Sequence, residues 1–367
     1  MNTAIFGLSI TSSWGNGHTV TFRALCRALR RRGHNVTFCE RDTQWYRAYR
    51  DPLSPEFGEV VLYDSLADLK QKASRHLAES DCVVVGSFVP EGVAVARWIL
   101  KQSPQACHCF YDLDTPVTLR KLQAGDEEYI NAALIARFDY YLSFAGGPVL
   151  DRLAKRFGVQ APIAFWCCVD PEIHFPQPAS LKWDLAYLGT YSSDRQSKLN
   201  ELMLQPAVAL PEFSFAVCGP LYPSDIFWPT NVTKLEHANP LEHPRFYGSQ
   251  RFCLNLTRDE MVRNGYSPST RLFEAAACGT AIISDRWTGI ESFFTPDREI
   301  LIAENRQQMI EILRDYPDKD RLRLGKKARE RVLSSHTAEQ RVIKLEALVR
   351  QSSNANTKLD RDYETRD

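Results

Sequence analysis

Short apolar runs alternate with amphipathic stretches along almost the whole of this chain, and few folds tolerate that pattern. An apolar run of about four to eight residues reads as a strand buried on both faces. A stretch with apolar residues at i, i+3 and i+4 reads as a helix that covers such a sheet. Repeated, the two predict βα units and parallel sheets. The first unit is the clearest. Thr3–Leu8 reads as a strand and SSWGNGH as a glycine-containing turn. Thr19–Arg32 reads as a helix with Phe22, Leu25, Cys26 and Leu29 on one face. Gly33 suits its C-terminal end, and Asn35–Cys39 is the second strand.

Further strands are expected at Cys82–Gly86, Cys107–Tyr111, Tyr140–Phe144 and Pro162–Cys167, with helices at Glu91–Lys101, Glu127–Ala136 and Pro148–Phe157. The segment VDPEIHFPQPASLKW holds three prolines and no periodicity, and reads as a linker. A second set of strands follows at Leu185–Leu188, Ser214–Cys218, Val232–Leu235, Phe252–Leu256, Ala281–Ser284 and Ile300–Ile302. Its helices are expected at Arg271–Ala277, Arg306–Arg314, Asp320–Leu333 and Thr337–Arg350. The reading is therefore an N-terminal domain over 1–168, a linker over 169–182 and a C-terminal domain over 183–350. The polar tail 351–367 is expected to be disordered.

A chain of 367 residues exceeds one ordinary core, which agrees with two domains. Lys plus Arg and Asp plus Glu number 45 each, so there is no basic excess to favour a nucleic-acid partner. No apolar run approaches the roughly 18 residues of a membrane span. The N-terminus lacks a basic region and a cleavage site, so the expected compartment is the cytoplasm. The ten cysteines lie mostly inside apolar runs, as in a reducing environment. Cys107-His108-Cys109 lacks a second ligand pair at zinc spacing.

The most informative segment is GYSPSTRLFEAAACGTAIISD. Ser267 suits an N-cap and Pro268 a first helical position, with the helix running to about Ala277 and stopping at Gly279. Free amides at Ser269 and Thr270, with their hydroxyls, would make the helix start an anion site. Arg271 adds positive charge, and Glu274 one turn on could accept both hydroxyls of a ribose. An ordinary capped helix with a surface glutamate is the plain alternative. LAYLGTYSSDR puts Gly189 and Thr190 after a strand, with Arg195 near the next helix start. AVCGPLYP ends another strand on Gly219 and Pro220. Glycine at a strand's carboxyl end lets backbone approach a ligand, although each of these is also an ordinary tight turn.

The order of LGTYSSDR, CGPLYP, EHANPLEHPRFY, LTRDEM and SPSTRLFEAAACGTAIISD resembles the nucleotide domain of group 1 glycosyltransferases, with the CgeB spore-maturation branch the most similar. CVDPEIHFP resembles the segment joining the two domains of that group, and the opening glycine turn with RRGHNVTF resembles its N-terminus. The resemblance spans about 340 residues. It implies an α/β fold of two Rossmann-like βα domains facing a central cleft, the GT-B arrangement. It implies a nucleotide-diphosphate sugar donor, UDP or dTDP, an unidentified acceptor hydroxyl, and neither cofactor nor metal. Glu274 would bind the ribose, and Thr270 with nearby amides the diphosphate. Arg195, with Arg258 or Arg271, would neutralise it. His237 and Ala238 would hold the base by backbone contacts, and Gly17 would face the nucleotide sugar. Many members carry a first glutamate where this chain has Tyr266, so the usual contact to the donor sugar is in doubt; Glu260 lies on a different segment. A nucleotide-sugar 2-epimerase and a non-catalytic nucleotide-sugar binder share the fold and stay open.

In inverting GT-B enzymes a histidine of the first turn acts as general base, steered by an aspartate about a hundred residues later. His18 and FYDLDTP, with Asp112 and Asp114, offer that constellation. The motif order favours a retaining route and the missing acid at Tyr266 an inverting one; retention is the expectation. Asp112 and Asp114 could also hold a metal as in the other glycosyltransferase fold, but that fold has one sheet. Trp45, Tyr46 and Tyr49 form a cluster suited to a sugar or to a core. Arg23, Arg27, Arg30, Arg31 and Arg32 make one side of the first helix basic, which suits solvent or weak contact with an anionic membrane surface.

Overall fold

The computed structural model describes the backbone of residues 1–364 and the side chains of residues 1–354. The chain divides into two compact units. The first comprises Met1–Ser12, His18–Trp166 and the chain from Ala338 onward; the second comprises Ser13–Gly17 and Cys167–Thr337.

The first unit is built on seven strands, β1 (Asn2–Gly7), β2 (Asn35–Arg41), β3 (Glu59–Tyr63), β4 (Cys82–Gly86), β5 (Cys107–Asp112), β6 (Tyr140–Ser143) and β7 (Pro162–Ala164), in the order β3-β2-β1-β4-β5-β6-β7. All pairs are parallel. Because parallel strands need crossovers, helices lie on the sheet and the strands read as continuous apolar runs. Every residue of β4 and β5 is buried. On one side Phe110, Tyr141, Leu69, Leu77, Ile99 and Leu153 share a core. Complete burial of a side chain such as Phe110 contributes roughly 1.5–3 kcal/mol.

The second unit has six parallel strands, β8 (Trp183–Leu188), β9 (Phe215–Cys218), β10 (Val232–Leu235), β11 (Gln250–Asn255), β12 (Ala281–Ser284) and β13 (Leu301–Ile302), in the order β10-β9-β8-β11-β12-β13. In both sheets the chain winds outward from the first strand and then crosses to its other side. The reversal falls between β1 and β4 and between β8 and β11, where α/β sheets open a crevice at their carboxyl ends.

Several expectations are corrected. Strand β3 and the helix Leu66–Ala78 went unread in the sequence. The helix expected at Glu127–Ala136 shrinks to Ala132–Ile135, started by Asn131, whose side chain accepts from Leu134 N; a helix at Thr115–Ala124 precedes it. Strand β7 ends at Ala164 rather than Cys167. The last helix, Ala338–Glu364, belongs to the first unit and not to the C-terminal domain, and it continues through the tail expected to be disordered up to Glu364. Residues 365–367 of that tail lie outside the described residues.

Ion pairs hold the last helix to the residues that follow the first helix, His18–Arg31. Arg32 reaches Glu346 at 2.7 Å and Glu339 at 2.6 Å, and His34 reaches Glu346 at 2.7 Å. The basic face of the first helix is largely committed within the unit. Arg23 is buried and pairs with Asp51 at 2.9 Å, Arg27 lies over the Phe57 ring, and Arg32 is spent on the last helix. Arg30 and Arg31 remain exposed at the end of that helix. Among the described residues no helix is long and apolar enough to cross a membrane.

Arg32 and His34 hold the Glu346 carboxyl down to about 2. A depressed carboxyl stabilises the fold above its unfolded value of about 4.3 and loses that contribution as pH falls. The stability gap between wild type and Glu346→Gln should therefore be full above about pH 4.3 and close as pH approaches 2, measured by chemical denaturation across that range.

Candidate active site

Each unit gathers polar residues where its strands end. In the first unit the turn after β1 is shaped by Glu40, the buried sixth residue of β2. Its carboxylate accepts from the amides of Ile10 (2.6 Å) and Thr11 (2.9 Å) and from the hydroxyls of Thr11 (2.6 Å) and Ser9 (3.0 Å). Thr19 donates to Ser12 O at 2.6 Å. The turn is therefore anchored on both sides of His18, the first residue of its helix.

His18 Nε2 meets Asp114 Oδ2. Asp114 is the N-cap of Thr115–Ala124, but its side chain caps no amide of that helix and is left for His18. Asp112 plays another part. It is fully buried, with Oδ1 accepting from Thr118 Oγ1 (2.7 Å) and Asp114 N (3.1 Å), and Oδ2 from the Tyr141 hydroxyl. Tyr129 extends the network to Thr118 at 2.6 Å. Burial pushes Asp112 up to about 6, against the bonds from Tyr141 and Thr118. So the structure joins His18 to Asp114, while Asp112 fixes the backbone on which Asp114 stands. The carboxylate of Asp112 is enclosed by protein donors, which leaves Asp-x-Asp poorly suited to hold a metal. The His108 ring reaches Ser103 at 3.0 Å, on the strand face opposite Cys107 and Cys109. Trp45 and Tyr49 are half exposed with ring centroids 6.1 Å apart, on the surface rather than in a core.

In the second unit the ends of β8, β9 and β11 meet the helix Thr270–Ala277. Gly219 has φ +157°, and a Cβ there would lie 2.0 Å from Gly189 O; a Cβ on Gly189 would lie 2.7 Å from Arg271 Nη2. Gly219 needs glycine for this backbone approach, while at Gly189 a Cβ would press on the ends of the Arg271 and Tyr187 side chains. Pro220 accepts from Tyr191 N at 3.0 Å and so fixes the turn after β8. Arg271 is buried, with Nε on Leu188 O, Nη1 on Asn255 Oδ1 (3.0 Å) and its guanidinium 4.4 Å from the Tyr187 ring centroid. It braces strand ends from within. Arg195 donates to Thr190 O at 2.6 Å. Arg258, 39% exposed, pairs with Asp194 at 3.2 Å. Burial opposes ionisation of Asp194, but Ser192, Arg258 and Arg195 overcome it and hold the carboxyl below its usual range.

The helix start differs from the expectation. Its N-cap is Ser269, not Ser267, and the first helical residue is Thr270, not Pro268. The Ser267 hydroxyl goes to Gly265 O at 2.8 Å. Ser269 does not cap the helix either: its hydroxyl donates to Asn255 Oδ1 at 2.6 Å. The first-turn amides thus receive no side-chain cap from Ser269. Tyr266 stands just before, with φ +48°, its amide on Thr288 O at 2.7 Å and its ring against Gly289.

Glu274 is 4% exposed. The Tyr247 hydroxyl donates to Oε2 at 2.8 Å, His243 Nδ1 stands 3.5 Å from Oε2, and His174 Nε2 stands 4.0 Å from Oε1. Burial alone would raise this carboxyl; the His243 and His174 rings and the Tyr247 hydroxyl hold it down to about 2. His237 is exposed, its ring centroid 5.0 Å from that of Trp14, and Ala238 O faces His243 Nε2 at 3.2 Å. Gly17 has open space around it. Glu40, Tyr141, Asn255, Tyr247, His174 and His243 were not singled out in the sequence. Only Glu40 and Asn255 left a signal, as polar residues closing apolar strands.

Residues 195–347 match the family model of glycosyl transferase-like proteins. No curated protein sequence matches the chain. Among solved structures, sucrose-phosphate synthase from Thermosynechococcus elongatus is similar with a TM-score of 0.68 and 15% identity, over 96% of this chain and 100% of that one. HepE from Anabaena in complex with UDP-glucose gives 0.66 and 10%, over 97% and 99%. An alpha-glucosyltransferase in complex with UDP-glucose and DNA containing an abasic site gives 0.69 and 15%, over 95% and 98%. At such identities the likeness establishes the fold: two parallel-sheet α/β units of the GT-B glycosyltransferase type.

The Asp112 network yields a stability test. Tyr141→Phe removes a buried donor to a carboxylate and should cost about 1.5–3 kcal/mol at pH 7–8. The cost should shrink below pH 6, where Asp112 is protonated and its bonds weaken. Denaturant unfolding at both pH values measures it.

Proposed function

We propose that the protein is a glycosyltransferase that moves a sugar from a uridine- or thymidine-diphosphate sugar to an acceptor hydroxyl. The observation that carries this reading is the helix start at Thr270, whose cap serine is turned to Asn255 and leaves the first amides for an anion. The glycine approach at Gly189 and Gly219, the cations Arg195 and Arg258, and the family match over 195–347 support it. In this proposal the diphosphate lies at Ser269 and Thr270, and the ribose meets Glu274 through Oε1, the oxygen Tyr247 does not take. Arg195 and Arg258 supply the charge that would otherwise call for a metal.

In the transfer the acceptor oxygen bonds to the anomeric carbon as the bond to the diphosphate breaks. His18, oriented by Asp114, takes the acceptor's proton, and the leaving diphosphate keeps the electron pair. Because His18 stands on Asp114, the proposal departs from the retaining route and takes the inverting one. A retained product anomer, read by NMR, would move the proton-accepting role away from His18. Donor consumption without any acceptor would favour the epimerase reading instead.

Glu274→Ala should weaken UDP-sugar binding by about 1.5–3 kcal/mol in calorimetry, as expected for a lost charged hydrogen bond. Unchanged affinity would remove Glu274 from the ribose.

His18→Ala should lower kcat by about 10²–10⁴-fold with donor affinity little changed, and Asp114→Asn should follow with a smaller loss. An effect confined to KM would make His18 a positioning residue. The rate should not fall in excess EDTA.

A further inference from the structure

Two histidines from separate segments converge on the carboxylate of Glu274. His174 comes from the linker, where its amide is fixed on Asp170 O at 2.8 Å. His243 opens a short helix and comes from the other side. His174 Nε2, His243 Nδ1 and a Glu274 carboxylate oxygen all lie within 4.8 Å of one another. His174 and Glu274 are buried and His243 nearly so.

The geometry at His243 is the telling one. Its Nε2 faces Ala238 O at 3.2 Å, which assigns the ring proton to Nε2. In the neutral ring Nδ1 then turns a lone pair toward Glu274 Oε2 at 3.5 Å, with no hydrogen bond at that nitrogen; only the protonated ring favours the ionised carboxylate there. Two lone pairs facing each other in a buried site repel. A second ring proton would relieve this, but a charge-assisted hydrogen bond draws in to about 2.7–2.9 Å. A metal between them does so at the distances seen. Ligands about 2.0–2.2 Å from a tetrahedral zinc ion are about 3.3–3.6 Å apart. His243 Nδ1 lies 3.5 Å from Oε2, within that range, and His174 Nε2 lies 4.0 Å from the other oxygen, Oε1, a few tenths above it, so the two rings approach opposite oxygens of one carboxylate. Histidine ligands usually give their other N–H to a carbonyl, and ligand carboxylates accept an outer hydrogen bond. Ala238 O and the Tyr247 hydroxyl supply both.

We infer that His174, His243 and Glu274 form a three-ligand site for a divalent transition metal of the zinc class. Two imidazoles and one carboxylate suit such an ion and not magnesium or calcium, which take oxygen ligands. The site rests in part on the proposed function, because it uses the carboxylate given there to the donor ribose. Metal and donor therefore compete for Glu274, and zinc inhibits a transferase that needs no metal.

The test uses the full chain, stripped with EDTA and dialysed. Titration with ZnCl₂ in calorimetry should show one equivalent per chain, and CoCl₂ should give the visible absorption of a four-coordinate site. His174→Asn and His243→Asn should each weaken zinc by more than the roughly 10–100-fold typical of losing an outer partner. In the wild type, zinc should raise the apparent Kd for the UDP-sugar, and EDTA should restore it. No zinc uptake by the wild type, or uptake indifferent to both histidine substitutions, overturns the metal site. If donor affinity still depends on Glu274 in that case, the ribose assignment stands alone. Histidine-dependent zinc uptake that leaves donor affinity unchanged supports the metal site and overturns the ribose assignment.

Discussion

Parallel pairing is the constraint on which the rest of this protein depends. A parallel strand cannot be followed by its neighbour through a tight turn, so the chain must return across a sheet face each time. The return covers the sheet, which is why β4 and β5 are buried along their whole length. It also aims every strand at the same edge. Most strand ends then pass into a turn and a helix start, where amides are unpaired and the helix dipole is positive. His18, Asp114, Gly189, Asn255 and Ser269 stand at such strand ends or helix starts, and Gly219 begins the loop from β9 to β10. The two reversals of winding, between β1 and β4 and between β8 and β11, put His18 and Gly189 in the turns that follow the inner strands. Location is thus fixed by topology before any side chain is chosen.

What the side chains add is rigidity, and buried carboxylates supply it. An unpaired buried carboxylate costs several kcal/mol, so each one present must be met by donors. Glu40 is met by two amides and two hydroxyls and in turn fixes the turn before His18. Asp112 is met by Tyr141, Thr118 and an amide and fixes the loop that carries Asp114. Asp285 accepts from Lys198 at 2.7 Å and from Thr257 N at 3.0 Å, next to Arg258. In every case the carboxylate lies within a residue of a strand's end and ties a neighbouring loop to it. Loops held in this way need little rearrangement when a ligand arrives.

Where the sequence could be read, the reason was periodicity. The runs that became β1, β4, β8, β11 and β12 are apolar, short and flanked by turns. Strand β3 escaped because EVVLY follows a proline-containing segment and is half exposed. The helix cap escaped for a different reason. Ser267-Pro268 satisfies the local rule, but Asn255, 14 residues before Ser269, draws the Ser269 hydroxyl and so sets the start two residues on. The last helix shows an apolar stripe that says nothing of which sheet it will cover. The choice is made by Arg32 and Glu346, which are 314 residues apart. The ring around Glu274 was illegible for the same reason: His174, His243 and Tyr247 belong to no common motif and meet only after folding.

Stability is spent at these same edges. An N-cap serine that served its helix would be worth about 0.5–2 kcal/mol, and Ser269 forgoes it. Left-handed backbone at a non-glycine residue costs about 1–3 kcal/mol. Among the described residues five non-glycine residues have positive φ, and four of them, Phe88, Glu91, Leu221 and Tyr266, lie in the loops after β4 and β9 and before Thr270. A glycine would remove the strain at each, yet the chain holds side chains there. Phe88 stacks near Tyr129 at 4.5 Å and approaches His18 at 6.1 Å, and Tyr266 packs its ring on Gly289. The strained residues therefore shape the surroundings of His18 and of the helix start, and the buried sheets on which they stand supply the free energy that keeps them in place.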